Sequence, residues 1–172
     1  MASDRSASTR ADDLTVSRSR RTPVQLASLL VGATFLLVGV LGFVPGITTG
    51  VGDMTFAGHE SGAHLLGVFH VSVLHNLLHL LFGVAGIALA RTAALAKAFL
   101  LVGGVAYLGL FVYGLVVAET SGANFVPVNR ADDWLHLGLG LGMVGLALLM
   151  PGRLSHGTAV GRSGRTAGGN AQ

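Results

Sequence analysis

Cysteine is absent from the chain, which excludes disulfides, thiolate zinc sites and cysteine nucleophiles and leaves any metal chemistry to His, Asp, Asn or Glu. Charge is scarce too. Only 11% of the 172 residues are charged, against about a quarter in a soluble domain, while 51% are hydrophobic and the mean hydropathy is +0.67. That balance points to a membrane protein. The basic pI near 10.2 does not argue for a nucleic-acid partner, because the basic residues sit mainly in the tails and one short turn rather than on an amphipathic face interleaved with aromatics. The expected partner is the lipid bilayer.

Four apolar runs predict four transmembrane helices. Val24–Val44 is 21 residues long, longer than the apolar region of a signal peptide (~7–15 residues). Although Ser19-Arg20-Arg21 has something of a twin-arginine export signal, the run is expected to stay as a span ending at Pro45-Gly46. Leu65 to Ala90 exceeds what a ~30 Å hydrocarbon core needs, so Leu65–Ser72 is expected to lie along the interface or bend before the span proper. After a basic turn, Arg91–Lys97, come a third run, Ala98–Ala118, and a fourth, Trp134–Met150. The loops Gly46–Ala63 and Thr120–Asp133, with Glu119 at the edge of the second, hold five of the eight acids and only one of the eleven basic residues. The positive-inside bias therefore places both termini in the cytoplasm. The expected organisation is a disordered tail over 1–22, a four-helix domain over 23–151 and a second disordered tail over 152–172.

The centre of the chain is the stretch His75-Asn76-Leu77-Leu78-His79, which has an echo in Asp132-Asp133-Trp134-Leu135-His136. Sliding one onto the other by 57 positions matches His79 with His136, Leu78 with Leu135, Gly83 with Gly140, Asn76 with Asp133 and Ser72 with Asn129; five of the sixteen positions from Val68 to Gly83 are identical. The chain thus reads as two tandem helical hairpins in an all-α, up-down-up-down bundle, its halves related by an axis along the membrane normal. Because helices in lipid approach through small residues, Gly138 and Gly142, Gly32 and Gly39, and Gly83 and Gly86 are expected to be packing seams, or else to line a ligand slot or a homodimer face.

Polar side chains within a span are costly and turn inward to partners, so His75, His79, Asp132 or Asp133, and His136 are predicted to cluster near the outer ends of the second and fourth helices. His64 falls near the same face at helical spacing, and His70 away from it. Three functions are open for such a cluster. It can be structural, with His79 and His136 hydrogen-bonding across the bundle or to the outer loops, Asp132 and Asp133 capping the fourth helix and Trp134 anchoring it at the interface. It can hold haem between His79 and His136, or zinc through His75, His79, His136 and Asp132, in a membrane enzyme. It can be a transport or proton-relay path. Tyr107 and Tyr113 read as packing and hydrogen-bonding groups, and no nucleotide fingerprint or serine nucleophile motif has the strand-to-helix context it needs.

Phe69-x-Val71, His75-Asn76-x-x-His79, Gly83, Tyr107 and Phe125-Val126-Pro127-Val128-Asn129 followed by Asp132-Asp133-x-Leu135-His136 carry a resemblance. Over Gln25 to Met150 the chain resembles the four-helix bacterial membrane family catalogued as domain of unknown function 4383. Asp133 departs mildly from a pattern that often has Asn there. The resemblance implies an integral plasma-membrane protein of unassigned biochemistry and supplies neither reaction nor cofactor.

Overall fold

A computed structural model describes residues 20–152. The tails expected to be disordered lie, but for their innermost residues, outside the described residues. Four α-helices carry the fold: α1 (Pro23–Leu41), α2 (Val73–Leu89), α3 (Ala93–Val116) and α4 (Arg130–Leu149). Each begins where a side-chain oxygen accepts a backbone N–H of the first turn. Thr22, Ser72, Thr92 and Asn129 are these N-caps, and Thr22 closes a capping box with Gln25 ahead of Pro23, whose missing N–H costs nothing at that position. α1, α3 and α4 are long and apolar enough to cross a membrane, whereas α2 is a shorter apolar helix of 17 residues.

Several boundaries differ from the expectation: α1 ends at Leu41 rather than Val44, and α4 begins at Arg130 rather than Trp134, taking the end of the expected loop into its first turn. The basic turn is confined to residues 90–92, because Thr92 caps α3 early enough to take Lys97 into the helix. Leu65–Ser72 bends before the second helix, as expected, and does so as β-structure. It belongs to a three-stranded antiparallel sheet of β1 (Thr48–Thr49), β2 (Ala63–Leu65) and β3 (Phe69–Val71), in the order β1-β2-β3, with His64 opposite His70 and Ala63 opposite Val71. The turn between β2 and β3 holds Leu66 and Gly67 at φ 55° and 70°, left-handed values that a helix does not contain. His64 is therefore on a strand, stacked on His70 with centroids 5.0 Å apart, and not on the face of α2.

α1 packs antiparallel on α2 and α3 antiparallel on α4, each pair through glycines. A Cβ on Gly83 would lie 2.5 Å from Leu36 Cγ and 2.8 Å from the Gly32 carbonyl oxygen; one on Gly140 would lie 2.7 Å from Leu108 Cγ and 3.0 Å from that of Gly104. The two crossings are the same crossing made twice. Gly32, Phe35 and Leu36 in α1 correspond to Gly104, Tyr107 and Leu108 in α3, 72 positions on, just as α2 corresponds to α4. Gly138 and Gly142 do not take part: nothing comes within 4 Å of a Cβ built on either, since both lie on the face of α4 turned away from α3. Phe35, Phe99, Leu100, Tyr107 and Met143 fill the core between the hairpins. The outside is apolar, with Leu149, Val102 and Leu81 exposed at 84%, 70% and 66%, as suits a surface facing hydrocarbon rather than water.

Candidate functional site

Four-residue spacing brings His75 and His79 onto one face of α2, where their rings stack almost parallel with centroids 4.5 Å apart. His79 Nδ1 lies 3.1 Å from the His75 carbonyl oxygen and donates to it, which fixes the ring against its own helix rather than, as expected, across the bundle or to the outer loops. On the α1 side His79 meets Phe35 at 5.4 Å and 57°. His136 meets Tyr107 at 5.4 Å and 54°, so the repeat extends to the attitude of each imidazole against its aromatic neighbour. Phe35 and Tyr107 in turn stack on one another, which places both pairs at the middle of the bundle.

The other residues expected in the cluster divide by role. Asp132 Oδ2 accepts from the backbone N–H of Asn129 at 3.0 Å and of His70 at 3.2 Å. Asn129 is the N-cap of α4 and Asp132 closes the capping box with it, while Asp133 takes no part: the Asn129 Oδ1 accepts from Ala131 and Asp132, and its Nδ2 donates to the Val68 carbonyl at 2.8 Å. Asp132 and Asn129 thus tie the start of α4 to β3 and the turn before it. Asn76 and Asp133 occupy equivalent places away from the imidazoles, each wedged in the seam of its own hairpin. A Cβ on Gly42 would collide with the Asn76 amide, and one on Gly114 with the Asp133 carboxylate.

His70, which helical spacing set aside, joins the outer layer through its backbone. Its Nε2 donates to the Ser61 carbonyl at 2.6 Å. Burial pushes the His70 imidazole below its usual pKa; the Ser61 carbonyl acts against this and the His64 ring adds to it. Only the strand pairing reveals this histidine, and strands of two or three residues leave no readable alternation in the sequence.

Two cavities flank the imidazoles. One, of about 100 Å³, lies between α2 and α3 against Leu78, Phe82 and Leu110. The other, of about 220 Å³, lies between α1 and α4 against Leu135, Leu139 and Val38, the residues that correspond to those three in the repeat. His75, His79 and His136 line both. His75 and Asp132 are matched by the repeat, and while the three imidazoles line both cavities, Tyr107 lines only the smaller and Asp132 only the larger. His75 and His136 are buried, at 7% and 3% exposure, and the Nδ1 of each has no hydrogen-bond partner. Such atoms are uncommon in folded proteins because each costs the desolvation of a polar group without return. Among the described residues no three His, Asp or Glu side chains converge in an arrangement that could hold a metal ion.

The helices and their polar centre define a small membrane-compatible helical protein. The chain belongs to the family described as Domain of unknown function (DUF4383), whose model matches residues 25–149. No curated protein and no solved structure matches it.

Proposed function

We propose that this is an integral protein of a bacterial plasma membrane, four spans in up-down-up-down order with both termini cytoplasmic, and that its imidazole centre binds a small uncharged ligand without turning it over. The spans are supported by three long apolar helices and by an outer surface of exposed Leu and Val. α2 completes the set: its 17 residues rise about 26 Å, close to the hydrocarbon thickness, and β3 continues the chain into the outer boundary. The orientation rests on the positive-inside distribution, with Arg20, Arg21, Arg91 and Lys97 at one end and all five acids among the described residues in the outer loops or the first turn of α4.

One observation carries the ligand: the paired buried Nδ1 atoms of His75 and His136 beside twin cavities. Asp132 and Asn129 find partners, and the third buried atom without one, Asp133 Oδ1, lies in the α3/α4 seam and borders neither cavity, whereas the two imidazoles line both cavities and keep capacity in reserve. The cavity volumes bracket the ~150 Å³ that admits a benzene ring, and their walls are largely aliphatic and aromatic. The fitting ligand is a compact apolar body with a hydroxyl or amide that can pair with imidazole nitrogen.

Phenol is a suitable probe. In mild detergent, phenol should raise the unfolding temperature of the wild type, and His75→Phe and His136→Phe should abolish that rise while being at least as stable as the wild type without ligand. Severe destabilisation of both variants would return the imidazoles to a structural role. A Soret band, or stoichiometric zinc lost in His79→Ala and His136→Ala, would replace the proposal with a metal centre. Because the chain lacks cysteine, topology can be read from single substitutions: Ser121→Cys should react with an impermeant maleimide on intact cells, and Thr92→Cys only after lysis.

A further inference from the structure

Away from the imidazole centre, a groove of about 640 Å³ runs along the flank of the α1/α2 hairpin. Arg20, Arg21 and Arg91 stand at its cytoplasmic end, and Leu29, Leu36 and Ile87 line its walls farther in. We infer that this groove is a binding site for one anionic phospholipid of the cytoplasmic leaflet, its phosphate held by the three guanidinium groups and an acyl chain laid between α1 and α2. The inference rests on the membrane reading above and is independent of the ligand assigned to the imidazoles.

The arginines are brought together by the hairpin and not by chain proximity alone. Arg20 and Arg21 immediately precede the N-cap of α1, while Arg91 follows the last turn of α2. Gln25 joins the two ends, its Nε2 donating to the Ala90 and Arg91 carbonyls at 2.9 Å each. That contact also occupies carbonyls at the C-terminus of α2, which would otherwise present a negative pole to a phosphate. The N-terminus of α1 adds its positive pole on the same side. Among the described residues no acid lies at this end and none of the three arginines is in a salt bridge.

Length supports the same occupant. From Pro23 at the start of α1 to Leu36 the helix rises about 20 Å, which is half of a bilayer counted with its headgroups. A groove that begins in cations and continues in aliphatic walls for one leaflet matches a phospholipid in both charge and depth. Basic pockets at the cytoplasmic side of membrane helices hold anionic headgroups through the same chemistry. A free phosphate would use only the first few ångströms.

The test is native mass spectrometry of the full chain released from detergent with equimolar phosphatidylglycerol and phosphatidylcholine. One phosphatidylglycerol should be retained in preference, unaffected by millimolar inorganic phosphate. Arg20→Gln, Arg21→Gln and Arg91→Gln should weaken retention by about fivefold each. Ile87→Trp, which fills the groove and leaves every arginine in place, should also displace the lipid. Equal retention of the two lipids, or unchanged retention in both the arginine variants and Ile87→Trp, would overturn the site. Competition by phosphate would make it a phosphate site, and a dimer mass lost in the arginine variants would assign the groove to a second copy of the chain. Alkaline carbonate extraction of cell membranes separates the two readings. A chain that resists extraction but shows no lipid preference loses only this site, whereas one that is extracted loses the membrane assignment as well.

Discussion

Phe35 and Tyr107 occupy the same place in the two hairpins and meet each other, ring centroids 5.3 Å apart and planes 28° from parallel. A residue in contact with its own counterpart lies on the axis relating the halves. Truncating Phe35 to Ala removes the support of His79 and of Tyr107 together, and should cost about 3–5 kcal/mol in denaturant or thermal unfolding of the detergent-solubilised protein. Tyr107→Phe makes the two halves alike at nearly constant volume and should cost less than about 1.5 kcal/mol. Similar losses for the two variants would show that the axis is not a packing centre.

The glycine crossings give a paired prediction. Gly83→Ala and Gly140→Ala each press a methyl group against backbone of the facing helix, which moves less readily than a side-chain tip, so each should destabilise the protein by about 1–3 kcal/mol and by similar amounts. Gly138→Ala and Gly142→Ala meet open space and should leave stability unchanged or improve it. If the second pair proved as damaging as the first, the outward face of α4 would have to be covered by something else.

At the start of α4, Asn129→Ala removes a cap and the bond from its side chain to the Val68 carbonyl. A cost of about 1–2 kcal/mol is expected. Amide exchange should quicken at Ala131 and Asp132, with much less effect at the C-terminal end of the helix.

His70 supplies a pH dependence. Its folded pKa is lowered, chiefly by burial, so the neutral ring is favoured by folding. The stability tied to it is complete above the unfolded value near 6.5 and is lost as pH falls from there through the folded pKa. The groups facing it are Ser61, His64 on the paired strand, Glu119 and His59. His70→Gln can still donate to Ser61 but does not titrate. The fall in unfolding temperature between pH 7.5 and pH 5.5 should therefore be smaller in the variant than in the wild type, and an unchanged fall would put the titration elsewhere.

Much of this arrangement was legible in the sequence, but unevenly. The match of His79 with His136 and of Ser72 with Asn129 could be read because polar residues are rare enough in an apolar run for coincidence to be noticed. The corresponding match of α1 with α3 could not, since Phe35 against Tyr107 and Leu36 against Leu108 sit in a background where almost every residue is aliphatic or aromatic. Its offset also differs from that of α2 and α4, because the connection from α1 to α2 is longer than that from α3 to α4 and carries the sheet. Gly138 and Gly142 misled for a related reason: spacing reports that two glycines share a face, not which way the face points. Proximity in sequence groups Asp133 with the histidines, yet one helical step sends it toward Gly114 instead.

A two-fold assembled from two separate copies of one chain must repeat each side chain at both related positions. Here the halves are covalently joined, and His75 stands in one half where Asp132 stands in the other. The junction frees the interior to differ from left to right while the backbone stays even-handed. The same three imidazoles border both chambers, but a phenol closes the smaller and a carboxylate the larger, so the molecule has a sense of direction across its width as well as along its length.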